Sequence, residues 1–214
     1  KIRAMFLSAE IYNVYGLTEA SPRVSYLPPA LFDQYPSSVG IPLDNTRITI
    51  RDDTGSIVED GVPGNIYVES SSLMKGYYHR NEYSKEKLTV YGLATGDIGY
   101  FDKEKHLFIL SRADDMIILG GMNIYPAEIE NALCEIPFVL ETVAYGIKNE
   151  SGQKIAVDVV LREEYKNMTM RDILFAFSHC LPKYLMPGMV RKVSSLEKNG
   201  SGKIIRPKGE KYMI

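Results

Sequence analysis

A change of pattern near Leu110–Asp115 constrains this chain more than any single residue does. Before it, from about Ser37 to Leu110, apolar and polar residues alternate in short runs broken by glycine and proline, the period-two signature of half-buried strands. Ile48 and Ile50 alternate in TRITIR, a turn follows at Asp53-Thr54-Gly55, and GNIYVES repeats the alternation. IGYFDKEKHLFIL reads as a hairpin with a polar turn between Asp102 and His106. The pattern there predicts one short helix, Glu82–Leu88, and a barrel or sandwich of strands. Nearer the start, Lys1–Ser8 has the spacing of a helix tail, and Ile11–Tyr15 is strand-like and ends at Gly16. Beyond Arg112 strands and helices take turns. MIILGG is a strand into a glycine turn, and Pro126–Ile136 is a helix with proline in its first turn. ETVAYGI and KIAVDVVLR are strands, TMRDILFAFSHCL is an amphipathic helix with Thr169 as N-cap, and MVRKVSSL is a strand. The expected class is α+β: a β-rich part over 1–111, then a small β-α-β-β-α-β unit over 112–214.

With 214 residues the chain is long enough for one large domain or two modest ones. Its net charge of −2 argues against a surface that coats nucleic acid. No apolar run is long enough to span a bilayer, and no signal peptide is recognisable. The two cysteines, Cys134 and Cys180, lack metal-ligand or redox spacing, so a cytoplasmic setting is expected. The three histidines, His79, His106 and His179, are scattered, so a metal site built on nitrogen or sulfur is not expected. The start at Lys1 rather than Met is read as that of a fragment.

Four stretches carry polar chemistry. In YGLTE, Gly16 permits close backbone approach, and Thr18 and Glu19 set a hydroxyl beside hard oxygen ligands, the pair that a phosphate and Mg²⁺ require. A turn whose Thr and Glu cap a following helix would look the same. In ATGDIGYF, Asp97 at a strand entrance suits ribose hydroxyls, or is an ordinary turn aspartate. In SRADDMIILGGMNIYPAEIE, Arg112 offers a planar cationic fork, Asp114 and Asp115 sit at the boundary, and Gly120-Gly121 allows close passage of a ligand. A surface turn before a helix fits that stretch as well. KNGSGKIIRPK places Lys203 on a glycine-rich basic loop without P-loop spacing, which a solvated basic tail would also show.

In their order and spacing these stretches resemble the adenylate-forming superfamily of acyl-CoA synthetases, peptide-synthetase adenylation domains and luciferases. The resemblance rests on Tyr15–Glu19, Thr95-Gly96-Asp97, Arg112–Glu130 and Gly202-Lys203 with Arg206. SVGIPL, GNIYVESSSLMKGYY and LPKYLMPGMV lend weaker support. It implies an ATP-dependent acid–thiol ligase. A carboxylic acid attacks ATP to give an acyl-adenylate and pyrophosphate, and a thiol of CoA or a carrier-protein phosphopantetheine then releases AMP. It further implies that Tyr15 stacks near adenine, with Asn13 to Gly16 lining the base. Thr18 would bond the phosphate and Glu19 would hold Mg²⁺. Asp97, helped by Arg112, would grip the ribose, and Ile109 would pack against adenosine. Lys203 would bridge the acid and the α-phosphate. Asp114 would be the hinge about which the small domain turns, and Gly120-Gly121 would face the thiol arm. Lys183, Arg191 and Lys192 would meet a nucleotide phosphate or an acidic carrier surface.

The family's Ser/Thr/Gly-rich phosphate loop is not in this sequence. Ser111 stands where glycine is usual, Gly92 where an aromatic is common, Ile118 where many members carry lysine, and Glu197 for a frequent proline. The chain then reads as the end of the large domain, a barrel-like remnant, plus the small C-terminal domain, inactive by itself. The alternative is a non-catalytic fragment or degenerate paralogue that serves in binding or assembly.

Overall fold

The computed structural model describes residues 5–149 and 152–207. The expected helix tail at Lys1–Ser8 falls partly outside them. The chain divides into two compact units, Lys1–Ala113 and Asp114–Ile214.

The first unit is one eight-stranded sheet. Its strands are β1 Asn13–Leu17, β2 Ser21–Leu27, β3 Ser38–Pro42, β4 Thr46–Arg51, β5 Gly64–Ser70, β6 Leu88–Thr89, β7 Gly92–Phe101 and β8 Leu107–Arg112. They run in the order β1-β2-β3-β8-β7-β5-β4, with β6 added beside β7. The path is open, with β1 and β4 at its ends, so the likeness to a barrel stops short of closure. Register follows from which side chains are buried. Ile48 faces Val68 and Ile50 faces Ile66 across β4 and β5, and all four are buried with Val24, Leu93 and Leu107. Such apolar cross-strand pairs are what fix a sheet's alignment. The polar turn before β8 closes as its sequence suggests. Asp102 Oδ1 accepts the backbone N–H of His106 at 2.8 Å. The helix expected at Glu82–Leu88 is present as α1 Asn81–Lys87, shifted by one residue at each end.

The second unit holds β9 Ile117–Leu119, β10 Met122–Ile124, α2 Pro126–Cys134, β11 Val139–Asn149, β12 Gly152–Leu161, α3 Met170–Cys180 and β13 Met189–Lys192. The expected β-α-β-β-α-β order is present with one addition. The first strand reverses after three residues, because Gly120 and Gly121 take φ of +58° and +83°, and it pairs with β10. The main sheet runs β11-β12-β13, antiparallel and then parallel. Covered on both faces, β12 is buried without a break from Ile155 to Leu161. Ile129 and Leu133 of α2 and Ile173 and Phe177 of α3 fill one face. Thr169 caps α3 by accepting the Asp172 N–H at 3.3 Å, as expected from the sequence. The other face packs Val143, Tyr145, Ile147 and Ala156 under Leu196.

Candidate functional site

In the first unit the β1–β2 hairpin, the β7–β8 pair and the segment after β5 bring the flagged side chains together. Asp97 on β7 lies directly across from Arg112 on β8. Arg112 Nη1 donates to Asp97 Oδ1 at 3.0 Å and to the Thr95 carbonyl at 3.1 Å. Tyr15 on β1 donates its phenol to Asp97 Oδ2 at 2.5 Å. Asp97 as a residue is only 6% exposed. Thr95 positions it from below: its hydroxyl accepts the Asp97 N–H at 3.0 Å and donates to the Ile66 carbonyl at 2.9 Å. Burial first, then the charge and hydrogen bond of Asp97, push the Tyr15 phenol far above its ordinary range, so it remains a donor. Both Asp97 oxygens keep lone pairs for further donors.

Glu19 lies in the turn between β1 and β2, where no helix follows, so the helix-capping alternative does not hold. Its Oε1 accepts the Tyr77 phenol at 2.6 Å, and its carbonyl accepts the Met74 N–H at 2.8 Å. Tyr77 is held in turn by α1, since its N–H donates to Ser84 Oγ at 2.7 Å. Burial, then the hydrogen bond and charge of Glu19, leave its phenol pushed up to about 12. Glu19, Tyr77, Tyr83, Lys87, Thr95 and Arg112 line one small cavity of about 60 Å³, so Glu19 and Arg112 share a cleft. A larger cavity of about 370 Å³ beside Ile50, Val58 and Phe101 contains none of the flagged residues.

Gly16 owes its identity to crowding. A Cβ there would lie 2.1 Å from the Pro22 carbonyl oxygen, at an irregularity of the β1–β2 register. Thr18 is exposed at the turn. Asn13, two residues before Tyr15 on β1, donates its side-chain amide to the Ser38 carbonyl at 2.6 Å. Ile109 packs against the core from β8.

In the second unit Lys203 is exposed on a tight loop. Asn199 Oδ1 accepts the N–H groups of Ser201 at 3.0 Å and Lys203 at 2.9 Å, and the Lys203 carbonyl accepts the Asn199 N–H at 2.8 Å. Asp114 is exposed in the short 3₁₀ turn Ala113–Asp115, and Gly120-Gly121 forms the β9–β10 turn with open space around it. Arg191 and Lys192 are engaged inside their own unit. Arg191 forks onto buried Asp158 at 2.7 and 2.5 Å, and Lys192 donates to the carbonyls of Lys166 and Met168. Lys183 stays exposed.

The sequence reading gave no role to Tyr77, whose only local signal is an aromatic after Gly76, or to the second-unit cluster around Arg206. Among the described residues no group of three His, Cys, Asp or Glu could hold a metal. One carboxylate, Glu19, at the rim of a polar cleft is nevertheless a fitting Mg²⁺ ligand, because that ion usually takes one or two carboxylates and leaves its other positions to phosphate and water.

The AMP-binding enzyme model matches residues 1–78, and the model of the AMP-binding enzyme C-terminal domain matches residues 128–203. The chain belongs to the AMP-binding enzyme family, the adenylate-forming superfamily. Among this family's curated members, a long-chain-fatty-acid–CoA ligase of Yersinia pestis is 38% identical over 193 residues, covering 90% of this chain and 34% of its own length. A 2-succinylbenzoate–CoA ligase of Bacillus cytotoxicus is 33% identical over 92% of this chain and 40% of its own. The chain thus spans well under half the length of these relatives. Among solved family structures, o-succinylbenzoate CoA synthetase of Bacillus subtilis in complex with its acyl-adenylate superposes with a TM-score of 0.84 at 31% identity, over 92% of this chain and 40% of that one. An amide bond synthetase of Marinactinospora thermotolerans gives 0.84 at 27% identity, over 92% and 41%. No helix among the described residues is long and apolar enough to cross a membrane.

Proposed function

We propose that the chain is the C-terminal part of an ATP-dependent acid–thiol ligase, with residues 1–111 closing a large adenylation domain, 112–214 forming the mobile small domain, and Asp114 as hinge. The observation that carries this reading is the Tyr15–Asp97–Arg112 cluster beside a cleft holding Glu19. A buried carboxylate flanked by a phenol and a guanidinium suits a ribose under an adenine, with Asn13 to Gly16 and Ile109 about the base and sugar. Thr18 would donate to the phosphate and Glu19 would hold Mg²⁺. That ion, when bound, would neutralise and orient phosphate oxygens.

Lys203, delivered by its loop, would sit between the substrate carboxylate and the α-phosphate. An ammonium there offsets the repulsion between two anions as charge develops. The acid's oxygen bonds the α-phosphorus while the bond to pyrophosphate breaks. The small domain then turns about Asp114, and the turn at Gly120-Gly121 admits the pantetheine arm of CoA or an acyl carrier protein. Its thiol bonds the acyl carbon, and AMP leaves. Long-chain fatty acids and 2-succinylbenzoate, the acids in the relatives' names, are the first to try, and the cytoplasm is the setting.

A second acceptor class follows from the likeness to an amide bond synthetase, in which an amine would take the thiol's place. The test is acid-dependent ATP–pyrophosphate exchange by the full-length protein, followed by product analysis with CoA, a pantetheinylated carrier protein and amines. Exchange with one acid class, followed by a thioester, supports the reading. AMP binding without exchange for any acid supports the non-catalytic module instead.

A further inference from the structure

Arg206 lies three residues beyond Lys203 and is the polar centre of the second unit. Its Nη1 donates to Glu130 Oε1 on α2 and to the Ala144 carbonyl on β11. Its Nη2 reaches Glu130 Oε2 at 3.4 Å, and its Nε lies 3.2 Å from Asp115 Oδ2. Glu130 Oε1 also accepts the Ala144 N–H at 2.7 Å. Among the described residues β11 is an edge strand, so the N–H and C=O that Ala144 turns away from β12 meet no strand there. Glu130 and Arg206 close that edge together. Burial works against the guanidinium charge, but the hydrogen bond and charge of Glu130, then of Asp115, more than restore it, and Arg206 stays cationic.

The Lys203 loop is therefore pinned at both ends. Upstream, Leu196 is buried against the sheet, the Ile205 N–H donates to the Glu197 carbonyl at 2.8 Å, and Asn199 closes the turn. Downstream, Arg206 ties it to α2, to β11 and to Asp115, the neighbour of Asp114. We propose that Arg206 is a positioning residue for the adenylation step: its fork on Glu130, Ala144 and Asp115 fixes the Lys203 loop to the segment that follows Asp114, so that the loop and this segment move as one body. The proposal rests on the reading above, in which Lys203 serves the first half-reaction alone. A lysine at 206 keeps one positive charge but cannot make the fork, because an ammonium is a point donor.

The experiment uses the full-length protein and measures two half-reactions separately: acid-dependent pyrophosphate exchange, and single-turnover acyl transfer from preformed acyl-adenylate. For Arg206→Lys the expected result is a fall in exchange of roughly tenfold or more, mostly in kcat, with acyl transfer within about twofold of wild type. Asp115→Asn removes only the outermost contact and should give a smaller fall, about threefold, in the same step. It keeps the test decisive should Arg206→Lys fold poorly. Equal losses in both half-reactions, or none in either variant, overturn the proposal. If wild-type protein shows no exchange, the functional reading fails instead.

Discussion

Tyr77 donates its phenolic hydrogen to Glu19 at 2.6 Å across 58 residues of sequence, and α1 holds the tyrosine in place through Ser84. A carboxylate meant to hold a cation gains from such a partner, since one oxygen is steered while the other is left to the ligand. Tyr77→Phe removes the donor with little change in shape. Hydrogen bonds to charged groups are worth about 1.5–3 kcal/mol, and this one is partly exposed, so a loss of roughly tenfold in adenylation at limiting Mg²⁺ is expected. Raising Mg²⁺ should recover most of it. A Mg²⁺ titration of pyrophosphate exchange checks this, and a loss independent of Mg²⁺ would contradict it.

The same contact predicts a pH dependence. The phenol is pushed up from 10.0 to about 12 by burial and by Glu19. Because the folded protein favours the protonated form, the stabilisation is complete below pH 10 and is lost as pH rises through about 12. The advantage of wild type over Tyr77→Phe should hold steady to pH 10 and then shrink. In tyrosinate absorbance, wild type minus variant should show one ionisation centred near 12. A midpoint at 10.0, the ordinary value, would mean that the Tyr77–Glu19 bond does not persist in solution.

Asp97→Asn keeps the size of the side chain but removes the charge that Tyr15 and Arg112 share. Arg112 loses its carboxylate, and an amide group now faces two donors. ATP affinity of the full-length protein should fall by roughly ten- to a hundredfold, about 1.4–2.7 kcal/mol at 1.36 kcal/mol per decade. Calorimetric titration with AMP and ATP reads it directly. An unchanged affinity would detach Asp97 from the nucleotide.

Much of this arrangement was legible in the sequence because strand periodicity is local. Ile48 and Ile50 announce β4, and the polar run Asp102–His106 announces the β7–β8 hairpin, which by itself sets Asp97 opposite Arg112. The reversal at Gly120-Gly121 was legible as a turn but not as a hairpin, since three residues on each side are too few to show a period. β2 was hidden because the adjacent residues Pro22 and Arg23 are both exposed and the next two, Val24 and Ser25, are both buried, so its pattern does not alternate. The contacts from Tyr77 to Glu19, Tyr15 to Asp97 and Arg206 to Glu130 join residues 58 to 82 positions apart, and no local pattern specifies them.

Gly16 tests the local geometry. A Cβ would sit 2.1 Å from the Pro22 oxygen and 2.4 Å from its carbon, both backbone atoms that cannot rotate away. Gly16→Ala should separate β1 from β2 and destabilise the first unit by about 2 kcal/mol or more. Thermal unfolding of this chain should show a clear drop for that transition and none for the second unit. An unshifted transition would mean that the close approach of Gly16 to the Pro22 carbonyl does not persist in solution.

The division of labour between the two half-reactions turns on Lys203. Its exposed position on the loop closed by Asn199 suits delivery of one charge to one step. Lys203→Ala in the full-length protein should lower acid-dependent pyrophosphate exchange by about a hundredfold or more, the scale of losing one preorganised charge-stabilising donor. Transfer of the acyl group from supplied acyl-adenylate to CoA or its alternative acceptor should continue near the wild-type rate. Equal loss in both half-reactions, or exchange at the wild-type rate, would contradict the account.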